Sequence, residues 1–103
     1  MKVNYNKKEH KEWAKKIKQK FNNQCIVCGS DHYLTAHHLI TAHNEKTRYK
    51  EWNGIPLCAK HHTKYGTGLS PHNENAMIFF LWLEKHYPEI MIPVEDYLDN
   101  ETR

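Results

Sequence analysis

With 103 residues, 39% of them hydrophobic and three of them cysteine, the chain has room for one small domain whose thin core a bound metal would reinforce. The odd cysteine count argues against a disulfide framework and for thiolate ligation in a reducing compartment, and the longest apolar run, residues 76–83, is far too short to cross a bilayer. The net charge of +3 is modest and the lysine-rich N-terminus does not read as a signal peptide, so a soluble, cytoplasmic protein with no membrane partner is expected.

Residues 1–20 hold eight lysines against Glu9 and Glu12, while residues 84–103 hold six acids against Lys85 and Arg103. The positive field therefore belongs to the N-terminal end, where it would attract phosphates. Residues 6–21 predict a helix: Asn6 can cap it, and Trp13, Ile17 and Phe21 recur every fourth residue as one apolar stripe. Asn22-Asn23 ends it. The run from Cys25 through Cys28 to Gly29 and Ser30 reads as a zinc knuckle, with Gly29 easing the backbone beside the sulfurs. Residues 33–40 predict a short strand carrying His37 and His38, followed by a polar loop with Lys46, Arg48 and Lys50.

Asn53-Gly54 is a turn signal, and Pro56 suits the approach to a helix. That helix is expected over residues 57–65, carrying Cys58, His61 and His62 and stopping at Gly66. Asn73 or Asn75 can cap a further helix over residues 76–87, closed by Pro88. It is apolar almost all round, which predicts burial against the rest of the chain or in a dimer. The acidic tail after Pro93 is expected to be loosely ordered. The organisation expected is a basic helix (1–22), a metal core (23–70), and an apolar helix with its tail (71–103), together one compact domain.

Two pairs at ligand spacing, Cys25-x2-Cys28 and Cys58-x2-His61, have the number and chemistry of a tetrahedral structural zinc site. Cys58 and His61 share a helical face. His62 competes with His61, since positions three and four after Cys58 both lie on that face, and spacing alone does not choose. The symmetry of the two pairs favours His61. Nested between the pairs are His37, His38 and Asn53, with His62 just beyond. Neighbouring residues on a strand face opposite ways, so one imidazole can ligate a cation while the other moves a proton near neutral pH. His10, His32, His43 and His86 are read as ordinary surface or core residues.

These residues carry a resemblance. The run Cys25–Cys28, Ala36-His37-His38-Leu39-Ile40, Asn53, Leu57-Cys58 and His61-His62 resembles the HNH endonucleases, with fifteen positions from His38 to Asn53 and nine from Asn53 to His62. The match covers residues 25–62, including the two zinc pairs that many phage and bacterial members carry. It implies an α+β fold: a small ββα-metal core, zinc-stapled, flanked by N-terminal and C-terminal helices. It further implies that His38, Asn53 and His62 form the catalytic set. His37 and His62 would bind a catalytic Mg²⁺, Mn²⁺ or Ni²⁺, His38 would be the general base, and Asn53 would hold its loop and so orient His38. Cys25, Cys28, Cys58 and His61 would bind structural Zn²⁺. The partner implied is DNA, cleaved to 5′-phosphate and 3′-hydroxyl ends, with Lys46, Arg48, Lys50 and Lys60 as phosphate contacts. Two departures stand out: His61 replaces the cysteine frequent in relatives, and Gly66 replaces a further metal-binding histidine, leaving water, phosphate or His72 to complete the shell.

Two other readings follow from the residues themselves. One is a zinc-stabilised nucleic-acid-binding module without catalysis. The other is a structural component of a phage packaging or recombination complex, docking through residues 76–87.

Overall fold

In the computed structural model, which describes residues 5–62, 71 and 76–101 apart from the side chain of His62, Asn6 opens the first helix as its position implies. Its Oδ1 accepts the Glu9 N–H at 3.1 Å, and α1 runs Lys7–Lys20. Trp13 and Ile17 are the buried pair on its inner face. Asn22 and Asn23 both take left-handed backbone angles, with φ of 58° and 55°, and the Asn23 N–H closes on the Lys18 carbonyl at 2.8 Å. Asparagine tolerates that conformation better than most residues, so the helix ends where the sequence places its end.

By its contacts the chain divides into two units, Met1–Ala59 and Lys60–Arg103. In the first, β1 (Thr35–His38) pairs antiparallel with β2 (Gly54–Leu57), with Thr35 opposite Leu57 and His38 opposite Gly54. The strand expected over residues 33–40 is thus confined to its centre, and Tyr33 before it has φ of 52°. The Asn53-Gly54 turn is corrected: Gly54 opens a strand and Pro56 lies within it, opposite Ala36. Pro is admissible there because a two-stranded sheet leaves each strand one edge without ladder bonds. The Pro56 carbonyl instead accepts from Ile26 N–H at 3.0 Å, tying the knuckle to β2.

The core of this unit lies between α1 and the sheet, built from Trp13, Ile17, Ile55 and Leu57, each at most 2% exposed. Gly54 is what lets α1 approach so closely. A β-carbon there would lie 2.6 Å from Trp13 Cζ2 and 3.0 Å from two Ile17 side-chain atoms. Gly54→Ala should therefore cost about 1–3 kcal/mol through overpacking, read as a lower denaturation midpoint at unchanged slope in urea.

The expected helix over residues 57–65 is α2, Ala59–His62, and residues 63–70, including Gly66, lie outside the described residues, as does His72. In the second unit α3 spans Ala76–His86 and α4 spans Pro88–Glu101. On α3, Phe79 and Leu83 are enclosed, while Met77, Ile78 and Leu81 are 76%, 58% and 60% exposed in the single chain. α3 packs beside α4, and a single neighbour covers only one stripe of a helix. The tail is helical rather than loose, because Pro88 and Glu89 occupy the first turn, where a missing N–H and a negative charge are both favourable. Pro93 sits inside α4, and the buried Val94 beside it faces inward. Among the described residues, no helix is long and apolar enough to cross a membrane.

Candidate metal centre and histidine site

The knuckle and α2 bring the four outer ligands together. The Cys25 N–H bonds the Ser30 carbonyl and the Gly29 N–H bonds the Cys25 carbonyl, each at 2.8 Å, folding Cys25 and Cys28 into one turn with Gly29 at φ 77°. Cys58 follows directly on β2, and His61 lies three residues on along α2. One donor atom from each of Cys25, Cys28, Cys58 and His61 lies within 4.8 Å of all the others. A tetrahedron with Zn–S bonds of about 2.3 Å places sulfurs about 3.8 Å apart, and Cys28 Sγ lies 3.7 Å from Cys58 Sγ. The three cysteines form no disulfide among the described residues.

The electrostatics fit the same ion. Partial desolvation pushes the Cys28 thiol above the usual cysteine range, against a backbone hydrogen bond at Ser30 that lowers it, and the neighbouring Cys58 and Cys25 sulfurs add to the rise. Three crowded thiolates are unfavourable until a cation sits among them. Burial, with Lys60 adding to it, lowers the pKa of His61 below 6.5, so its imidazole is neutral, the metal-binding form. The donor set is compatible with a structural zinc site, as its spacing implies. Among the described residues His61 is the histidine grouped with the sulfurs.

The second cluster is organised by the loop between the strands. Backbone bonds Asn44→Thr41, Thr47→Asn44, Lys50→Thr47 and Asn53→Lys50, from 3.0 to 3.3 Å, wind residues 41–53 into successive three-residue turns. Asn53 holds this winding to the end of β1. Its Oδ1 accepts the Ile40 N–H at 2.6 Å, and its Nδ2 donates to the Ile40 carbonyl at 3.1 Å and the Thr47 carbonyl at 2.9 Å. The residue is fully buried. Asn53→Ala should lose about 3 kcal/mol or more, because it strands buried backbone groups that water cannot reach. Asn53→Asp should be no better, since it keeps the acceptor and removes both donors. Urea denaturation of the two variants checks this.

His38, at the end of β1, directs Nε2 at the Arg48 carbonyl, 2.7 Å away. A carbonyl only accepts, so Nε2 carries the proton and Nδ1 keeps the basic lone pair. Burial lowers the pKa of His38 below 6.5, against the Arg48 hydrogen bond that raises it, with His10 and the Arg48 charge lowering it further. The ring is neutral at pH 7. Its face lies on the indole of Trp13, with centroids 4.0 Å apart and planes 13° from parallel. His37 is half-buried on β1, opposite Ile55. The side chain of His62 lies outside the described residues.

Two further residues, which carry no motif in the sequence, belong to this cluster: His10 and Trp13. The His10 ring centroid lies 6.1 Å from that of His38, and its buried Nδ1 has no hydrogen-bond partner among the described residues. The signal was their spacing: three apart on α1, they share the face that meets β1. Of the expected phosphate contacts, Lys46, Lys50 and Lys60 are exposed, but Arg48 is half-buried with Nε donating to the Ala42 carbonyl at 2.7 Å. Its guanidinium braces the loop first.

No family model, no curated protein and no solved structure matches this chain.

Proposed function

We propose that the chain is a metal-dependent endonuclease that hydrolyses DNA phosphodiester bonds, with His38 as general base. The observation that carries this reading is the state of His38: a neutral imidazole with Nε2 committed to the Arg48 carbonyl, leaving Nδ1 as an unprotonated base. The resemblance of His38, Asn53 and His62 to the HNH set supports it, as does the Cys3His group beside the same hairpin.

In this reading Nδ1 of His38 takes a proton from water, and the resulting oxygen attacks phosphorus. The bond to the 3′ oxygen breaks and that oxygen is protonated from solvent, leaving 5′-phosphate and 3′-hydroxyl ends. Asn53 keeps the loop wound, so that the Arg48 carbonyl stays where it fixes the imidazole. His37 and His62 offer the imidazole donors suited to Ni²⁺, Zn²⁺ or Mn²⁺, with water completing the shell for Mg²⁺. A cation held there would stabilise the negative charge that develops on the phosphate and the leaving oxygen.

Binding would draw on α1. Lys11, Lys15 and Lys18, with Ala14, Gln19 and Asn23, line a shallow groove of about 350 Å³ on the side of the helix away from Trp13. The same groove favours the second reading, a zinc-stabilised nucleic-acid-binding module without catalysis. Phosphate contacts of this kind carry no sequence information in either case. One experiment separates the readings: supercoiled plasmid is incubated with the zinc-loaded protein and Mg²⁺, Mn²⁺ or Ni²⁺. Nicking or linearisation supports the nuclease, and salt-dependent retention of intact plasmid supports the binding module.

A further inference from the structure

We infer that Trp13, on the N-terminal helix and outside the motif that carries the resemblance, is a positioning residue for His38. The inference rests on the reading of His38 as a base. A single hydrogen bond from Nε2 fixes one point of an imidazole but leaves the ring free to swing about it. The plane is set by the indole, stacked at 4.0 Å and 13°.

The indole is itself fixed by a hydrogen bond and by burial. Its Nε1–H donates to the Lys50 carbonyl at 2.9 Å. Gly54, opposite His38 across the sheet, leaves no β-carbon to push it away, and the residue is 2% exposed. The two rings are therefore anchored to carbonyls two residues apart on one loop: Arg48 receives the imidazole and Lys50 receives the indole. The winding that Asn53 maintains thus sets both rings at once. A shift of the loop would move them together and preserve their stack, and loss of the indole would leave the imidazole on one tether.

The test uses the full-length, zinc-loaded chain with Trp13→Met, which fills space without an aromatic face, and Trp13→Phe, which keeps one. The His38 ring protons are assigned by their loss in His38→Gln. In the wild type they should be displaced upfield by the indole, in Trp13→Met they should return to ordinary positions, and in Trp13→Phe they should stay partly displaced. Plasmid cleavage should show kcat reduced about 10²-fold in Trp13→Met with KM unchanged, as a misplaced catalytic group does, and largely restored in Trp13→Phe.

His38 resonances that do not move in Trp13→Met, or a kcat that stays at the wild-type value, would overturn the assignment. Should Trp13→Met not fold, the wild-type spectrum decides, since ordinary His38 shifts exclude the stack. A wild-type protein that cleaves nothing defeats the nuclease reading, and hydrogen exchange of the His38 Nε2–H then judges the positioning: faster exchange in Trp13→Met supports it, and protection unchanged from the wild type overturns it.

Discussion

His38→Ala should lower the rate of plasmid cleavage by about 10²–10⁴-fold, the contribution expected of a positioned general base. The loss should appear in kcat and not in DNA affinity, because the α1 lysines proposed to attract phosphates are untouched. The substitution also removes a ring stacked on Trp13 and bonded to the Arg48 carbonyl, so some loss of stability is expected alongside it. His38→Gln is the cleaner comparison. Its side-chain amide can still donate towards Arg48 but offers no base of suitable pKa, so the fold should recover while activity does not. Cleavage by His38→Ala or His38→Gln at the wild-type rate would remove His38 from the mechanism.

Loss of zinc should be the larger structural event. Cys25, Cys28, Cys58 and His61 join the knuckle, the end of β2 and α2 through atoms within 4.8 Å of one another. Binding free energies of structural zinc are about 10–16 kcal/mol at neutral pH, of the order of the whole stability of a small domain. The thin core of Trp13, Ile17, Ile55 and Leu57 cannot replace that on its own. A chelator should therefore unfold the Met1–Ala59 unit, followed by circular dichroism, and one equivalent of zinc should restore it. His61→Ala should lose bound zinc and much of the fold, whereas His62→Ala should keep both and lose cleavage. A chelated protein that keeps its native spectrum, or the reverse outcome for the two histidines, would exchange or dismiss these roles. Metal content by mass spectrometry reads the stoichiometry directly.

The legible parts of this molecule were those governed by neighbours in the chain. Asn6 caps α1 because a cap needs only the N–H three residues on. The four candidate zinc ligands could be paired because C-x2-C and C-x2-H are local geometries of a turn and a helix. Where two sequence neighbours competed, as His61 and His62 did, spacing could not separate them, because positions three and four after Cys58 share one helical face.

The errors have a common cause. Asn53-Gly54 carries a turn signal, and in isolation that preference would stand. Here Asn53 is buried against Ile40 and Thr47, and Gly54 begins a strand because α1 presses on it too closely for any side chain. Pro56 entered a strand because its partner lies on one edge only. The acidic tail became α4 because its first turn suits a helix and α3 lies beside it.

The sequence by itself determined which side chains could bind zinc, that they came as two pairs, and that a basic helix stood before them. Tertiary structure alone decided how His38 is held. Its partners, the Arg48 carbonyl and the face of Trp13, lie ten and twenty-five positions away. One is a backbone oxygen that every residue possesses, and the other reads in sequence as ordinary core. Such contacts leave no local periodicity or composition to recognise, because they exist only once α1, the strands and the wound loop have packed.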